Sequence, residues 1–362
     1  MKTLYKALFI LLCIPAFVVA NNEIKKGAHT KEKTIKKEYT VNADALLKVS
    51  NSYGNIDIIT WNENRTVIEV KITTNGNDEE KVQKRLNDIT VDFSGSSSIV
   101  SAKTNFGNKK KSSWSWWGKN NSNVNIEVNY TIKLPVTNSV DLNNNYGAIL
   151  ISRLEGVARI NCDYGQLIIG ELLADNNSLN FDYTNKSTIE YMKSGKIIAD
   201  YSSFSLDRAE NIELNADYTK SEIGEVNNIN YNCDYGKVEI NKVVNVDGKG
   251  DYVTNKLGSV SGNLNLNTDY GSITTDRIQS TAKNTTITAD YTRINVGFDA
   301  DYHFDFTINL TYASLKGGDN VTIKHTSKQN SKKKYSGYHG SENSGNTMTI
   351  NSEYGSVTLN KN

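Results

Sequence analysis

Residues 143–149 read NNNYGAI, and the pattern returns as CDYGQL (162–167), FDYTNK (181–186), ADYSSF (199–204), ADYTKS (216–221) and CDYGKV (233–238). It continues as GDYVTN (250–255), TDYGSI (268–273), ADYTRI (289–294), LTYASL (310–315) and EYGSV (353–357). The tyrosines fall at 146, 164, 183, 201, 218, 235, 252, 270, 291, 312 and 354, with spacings of 18, 19, 18, 17, 17, 17, 18, 21, 21 and 42. So narrow a period marks a repeat architecture, in which each unit is too small to bury its own apolar face.

Around each tyrosine the apolar residues alternate with period two. Four residues before it stand Leu142, Ile160, Leu179, Ile197, Leu214, Leu266, Ile287, Ile308 and Ile350, with exceptions at Tyr231 and Gly248. Two before it are small or apolar residues such as Cys162, Phe181, Ala199 and Cys233, and the position between them is usually Asn. Three and five residues after it the apolar side chains return, as in Leu167/Ile169 and Val238/Ile240. That is strand alternation, and its parity switches at the Tyr-Gly, Tyr-Ser or Tyr-Thr step, where a small residue lets the chain turn. One unit is therefore strand, corner, strand and looser turn. Equivalent strands of successive units stack in parallel about 4.8 Å apart, for roughly 50 Å over some eleven coils. The expected fold is all-β, a parallel β-solenoid of about eleven or twelve short coils, with an N-terminal cap containing one helix.

Outward from the array, SNSYGNIDI (50–58) is an outlying copy with Ile56 and Ile58 at the same offsets after Tyr53. Trp61 to Thr73 alternates as a strand, and Asn77 to Glu80 opens a helix with Asn77 as its expected cap and Val82, Leu86 and Ile89 as its apolar face. The expected organisation is a signal peptide over 1–20, a flexible basic leader over 21–37, and a first coil with cap over 38–135. The cap carries a Trp-rich loop at 107–123. The repeat array follows over 136–362, with an inserted loop at 327–346 that accounts for the 42-residue interval before Tyr354.

The first twenty residues have a basic start at Lys2 and Lys6, an apolar stretch from Leu8 to Val19 and small residues before Asn21, the pattern of an export signal. No second long apolar stretch follows, so no transmembrane span is expected. The net charge of +1 provides no field for nucleic acid or anionic lipid. Beyond the signal only Cys162 and Cys233 remain, four repeats apart, and they are expected to stay unpaired.

With the repeat established, the chain resembles the putative-adhesin family of exported bacterial β-strand-repeat domains, related to adhesin head domains. NSYGNIDIITWNEN, the VIEVKIT strand with its helix, and the serial DYG-x-[IVL]-x-[IVL] units carry the resemblance over most of residues 40–360. It implies a β-solenoid at the cell envelope or surface, periplasmic or extracellular, and specifies a shape more than an activity.

The aspartates before the corner tyrosines (Asp163, Asp182, Asp200, Asp217, Asp234, Asp251, Asp269 and Asp290) form a ladder in which neighbours repel by about 0.9 kcal/mol even in water. Backbone amides, lysines or bound cations must offset that, and the expectation is a structural corner ladder, with a calcium-binding envelope protein as an alternative. The tyrosines are expected to stack along the axis with their hydroxyls in water. Trp114, Trp116 and Trp117 beside Lys109, Lys110 and Lys111 are candidate ligand contacts, with folding back onto the cap as the competing reading. Tyr335 and Tyr338 beside Lys332 to Lys334 and His339 are a weaker analogue, with a merely solvated segment as the competing reading. The partner is an unidentified envelope or extracellular ligand, a glycan or a protein. Enzyme motifs are missing: there is no HExxH, no GxSxG and no phosphate-binding glycine loop, and no catalytic, metal or cofactor residue is assigned. A polysaccharide-active β-helix enzyme is the rival reading. The regularity of the array speaks against it.

Overall fold

The computed structural model describes residues 27–107 and 124–362. The signal sequence expected over 1–20 and the lysines and tryptophans between 109 and 117 lie outside the described residues. The described residues are all-β with one α-helix, Glu79–Asp88.

Each repeat contributes a strand before its tyrosine and a strand after it, and each pairs in parallel with its counterparts in the neighbouring repeats. Ile160 lies opposite Leu142 on one side and Leu179 on the other. After the corner, Ile169 lies opposite Ile151 and Ile189. The register step is thus one repeat, which carries every inward position onto an inward position. Leu142, Ile160, Leu179, Ile197 and Leu214 form one buried column, and Ile151, Ile169, Ile189, Leu206, Ile223 and Ile240 another.

The two exceptions in the first column answer each other. Tyr231 faces Gly248 across the ladder, and a Cβ on Gly248 would lie 2.1 Å from Tyr231 Cζ. The fully buried ring fills the space that the glycine leaves, and its hydroxyl donates to Asn255 Oδ1 at 2.7 Å. One large and one absent side chain keep the core volume constant.

In the middle of the array, order in space follows order in sequence. At both ends it does not. The strand Thr347–Glu353 pairs in parallel with Thr285–Asp290 on one side and Phe304–Thr311 on the other. Ser356–Lys361 likewise lies between Arg293–Phe298 and Ser314–Lys316. The last rung in sequence is therefore the last but one in space. At the other end Leu46–Ser52 sits between Ile99–Asn105 and Ser139–Asn145, and Ile56–Trp61 between Asn125–Pro135 and Ala148–Leu154. The first rung is again second in space, and the excursion between residues 62 and 138 supplies the rung outside it.

Pairing is mixed rather than purely parallel, because antiparallel strands cover both ends. Arg65–Gly76 pairs antiparallel with Asn125–Pro135, and His29–Thr40 pairs with Arg65–Gly76 in turn. Thr90–Gly95 covers Ile99–Asn105. At the far end Lys332–His339 covers Phe304–Thr311 and is itself paired with Thr322–Gln329. These strands shield edges that would otherwise recruit other chains.

Three expectations are corrected here. From His29 onward the leader read over 21–37 is a strand; Lys31 and Lys33 are half-buried on the same face as Ile35, which packs against the core, and Thr30, Glu32 and Thr34 between them are exposed. The insertion read as a loop over 327–346 is largely the hairpin just described, its polar composition suiting a layer exposed on one side. The helix is capped by Asp78, whose side chain accepts the Lys81 N–H, while Asn77 Oδ1 accepts the Ala28 N–H. Val82, Leu86 and Ile89 are buried as the apolar face required.

Candidate functional site

The corner is the most regular surface feature. All twelve corner tyrosines, from Tyr53 to Tyr354, lie in the left-handed region with φ between 49° and 62°. A non-glycine residue there costs about 1 kcal/mol or more, so something common to every rung must offset it. Two interactions do. The tyrosine N–H donates to the carbonyl of the residue before the next tyrosine in the column, as from Tyr164 to Asp182 O at 3.0 Å and from Tyr218 to Asp234 O at 2.9 Å, and at the end of the column Tyr312 donates to Ser331 O at 3.1 Å, which carries the ladder through the bend. The rings also stack into one column in the order 53, 146, 164, 183, 201, 218, 235, 252, 270, 291, 354 and 312, with adjacent centroids 4.7–5.3 Å apart and planes within 10° of parallel. Each offset pair adds about 0.5–1.5 kcal/mol beyond area burial.

Stacking also settles what the column offers a ligand. Inside it both faces of each ring are covered, so the rail presents edges and hydroxyls rather than the open faces on which a sugar or base stacks. Phe106 meets Tyr53 edge to face at 5.5 Å and closes one end. Tyr312, at the other end, is the most exposed ring at 63%, against 46–52% for the rest. Burial, with the neighbouring rings and carboxylates (Asp200 and Asp217 beside Tyr201, Glu353 beside Tyr354), raises the hydroxyls of Tyr201 and Tyr354 above the usual tyrosine range and keeps them neutral.

The aspartate ladder runs beside this column. The Asp217 N–H donates to Asp200 Oδ1 at 3.0 Å, Asp234 to Asp217 at 3.0 Å, Asp251 to Asp234 at 2.7 Å and Asp290 to Asp269 at 2.9 Å. A backbone donor from the next rung thus faces each of these carboxylates and offsets the like-charge repulsion. Burial raises Asp182 and Asp290 above the usual carboxylate range, assisted by Asp200 and Asp163 at the first and by Asp269 and Glu353 at the second. Among the described residues no group of three or more His, Cys, Asp or Glu is arranged to hold a metal ion.

Of the residues singled out in sequence, Lys109, Lys110, Lys111, Trp114, Trp116 and Trp117 lie outside the described residues. Tyr335 and Tyr338 are on the covering hairpin. Tyr335 is half-buried against the core, and Lys324 Nζ sits 5.4 Å from the ring centre of Tyr338. His339 is buried, with Nδ1 2.7 Å from Tyr302 O and its ring against Phe298 and Phe304. Cys162 and Cys233 are buried and unpaired, and burial pushes both thiols up to about 12.

A further feature went unread in the sequence. The strands Ser187–Asp200, Ser203–Asn215, Lys220–Asn232 and Lys237–Lys249 run unbroken from one ladder into the other. Lys193, Glu210, Asn227 and Val244 drop out of the pairing where they bend. The bend leaves a groove of about 660 Å³ along the axis, from Asn176 to Asn265. Asn228 Nδ2 donates to Asn211 Oδ1 at 2.7 Å, and Asn245 Nδ2 to Asn228 Oδ1 at 2.8 Å. The signal was present as asparagine recurring seventeen residues apart, but the same residue type also fills ordinary outward positions on the strands.

No protein-family model matches the chain, and no curated protein does. Among solved structures it is similar to a putative cell adhesion protein from Clostridium sporogenes, 11% identical over 92% of this chain and 100% of that one, with a TM-score of 0.17. It is also similar to a putative adhesin from Parabacteroides distasonis, 10% identical over 91% and 97% with a TM-score of 0.31. A putative adhesin from Bacteroides fragilis is 12% identical over 91% and 97%, with a TM-score of 0.22. At scores this low the chain paths do not superpose, and the likeness carries no argument about function.

Proposed function

We propose that the chain is an exported, non-enzymatic β-solenoid that acts as an adhesin-like binding or scaffold protein of the cell envelope. The observation that carries this reading is the unbroken tyrosine column: one corner geometry repeated from end to end makes a stiff body whose outer faces present the same chemical groups rung after rung. Catalysis needs a local departure from such regularity, a place where acid, base and nucleophile converge. A repeated face instead suits contact with an extended partner. The covering strands at both ends support a body of defined length rather than one that grows by edge pairing. No helix among the described residues is long and apolar enough to cross a membrane.

Protease shaving of intact cells tests the reading. A surface adhesin loses its signal on shaving and retains an external glycan or protein in pull-down. A periplasmic scaffold is protected until the outer membrane is opened and fractionates with envelope proteins. Recovery with cytoplasmic markers would overturn both forms.

A further inference from the structure

We infer that the axial groove is a binding site for a neutral, linear polysaccharide, held in an extended conformation parallel to the stack. The inference rests on the reading of the protein as a binder and names the ligand class.

Rungs repeat about every 4.8 Å, and an extended chain of pyranose rings linked through opposite carbons advances by a comparable length per ring. A groove crossing six rungs therefore spans roughly 24 Å, enough for about five sugars in near register. Its wall is the amide chain Asn211–Asn228–Asn245, continued by Asn263, whose Nδ2 donates to Asn245 Oδ1 at 3.2 Å. Linking each amide to the next uses one N–H and one lone pair. An asparagine has two of each; the Asn263 backbone N–H takes the second lone pair of Asn245 Oδ1 at 2.9 Å, so a further donor repeats along the chain and a further acceptor remains on Asn211 and Asn228. Hydroxyls, which donate and accept at once, are the complementary group. The linked amides are pre-aligned, so little freedom is lost on binding.

The charges exclude the other extended polymers. Lys196 is paired with Glu213 at 2.6 Å, and Asn265 Nδ2 donates to Asp247 Oδ2 at 3.0 Å. No unpaired cation of the groove awaits a phosphate, sulfate or uronate. A peptide adding itself as a strand needs a free sheet edge, and here every rung is already paired on both sides. The floor, Ile212, Ile229 and Val246, is at least 96% buried and has no pocket for side-chain anchors.

The test is calorimetric titration of the purified chain with β-1,4-linked hexasaccharides of glucose and of N-acetylglucosamine, their disaccharides, a sulfated heparin hexasaccharide and a pool of unstructured decapeptides. It reads binding in solution, so its failure would leave the export reading standing, and failure of the shaving test would leave the groove standing. A neutral hexasaccharide is expected to bind at least tenfold tighter than its disaccharide. Changing Asn228→Leu and Asn245→Leu together should weaken it by about tenfold or more. Should that pair disturb folding, Asn230→Trp fills the groove from an exposed position with the amide chain left intact, and it should abolish binding. Failure of both neutral hexasaccharides to bind would overturn the proposal. So would undiminished binding in the folded Asn230→Trp variant, or a preference for the sulfated sugar or the peptides.

Discussion

The middle of the array and its two ends are built from the same rung but obey different rules. Between Ala158 and Ile278 each rung pairs with its predecessor and successor in sequence, so every strand pairing joins neighbouring repeats. At the ends a rung is held by segments far away along the chain: Leu46–Ser52 by strands beginning at Ile99 and Ser139, and Thr347–Glu353 by strands beginning at Thr285 and Phe304. A repeating middle tolerates change one rung at a time, because any rung fits against any other. An end must be closed against further pairing. Passing the terminal rung back inside a later-formed or earlier-formed one joins that closure to chain topology.

The sharpest way to break this contrast is by deletion. Removing residues 219–235, one full repeat, should leave a folded chain, because Tyr218 then joins Gly236 in another Tyr-Gly corner. Removing Thr347 to Asn362 should strip the rung between Thr285–Asp290 and Phe304–Thr311. Hydrogen exchange should then rise steeply across 304–339 while residues 158–249 stay protected. Equal loss of protection throughout would show that the middle does not stand as a sum of neighbour contacts.

Within the middle, Ile240→Asp places an unpaired charge in a fully buried column and should cost about 4 kcal/mol in urea denaturation. Asn232→Asp on an outward position should stay within about 0.5 kcal/mol. Comparable losses at the two sites would contradict the assigned parity.

Gly248→Ala tests the compensation inside the column. The added Cβ meets Tyr231 at 2.1 Å, so a loss of about 1–3 kcal/mol is expected. Tyr231→Leu in the same chain should recover part of it, the remainder reflecting the hydrogen bond lost by Asn255. A double variant no better than Gly248→Ala alone would mean that the pair does not share one space.

At the corner, Tyr218→Ala loses both stacking partners and keeps the left-handed strain, whereas Tyr218→Gly loses the stacking and relieves the strain. The glycine variant should be the more stable of the two by about 1 kcal/mol, measured as a shift in urea midpoint. Identical midpoints would remove the strain argument.

The effect that is smallest at neutral pH concerns the two thiols. Burial raises the thiols of Cys162 and Cys233 to about 12, above the ordinary free-thiol range near 8.5. A raised folded-state value stabilises fully below the unfolded value and is lost as pH climbs towards the folded one. Stability should therefore be insensitive to these groups at pH 7 and decline between about pH 8.5 and 12. Substituting Ala at both positions should flatten that decline. Neither thiol should react with iodoacetamide at pH 8 until the chain unfolds.

Much of this molecule is legible in residue order. Alternation around Tyr164, Tyr183 and Tyr201 assigned the inward columns, and the seventeen- to twenty-one-residue step assigned their partners, since in a stacked array nearest in sequence is nearest in space. The spacing between Cys162 and Cys233 likewise kept them apart. Less legible was anything that depends on the exposed side of a strand. Lys31, Lys33 and Lys37 read as a solvated leader because alternation with Thr34 and Ile35 is weak, yet the strand needed only one partner, Arg65–Gly76, to form. The segment from Ser327 to Asn346 carries so few apolar residues that pattern alone could not separate hairpin from loop.

The sequence by itself determined the repeat, the two strands of each rung, the side chains that face inward and the corner at tyrosine. These follow from steric and hydrophobic rules acting within one period. Only the tertiary structure decided which rung lies outermost at each end, and that asparagines on successive rungs join into a wall beside a groove. Each of these depends on how distant segments meet. A one-dimensional period cannot encode that, because it assigns every rung the same neighbours and every outward residue the same solvent.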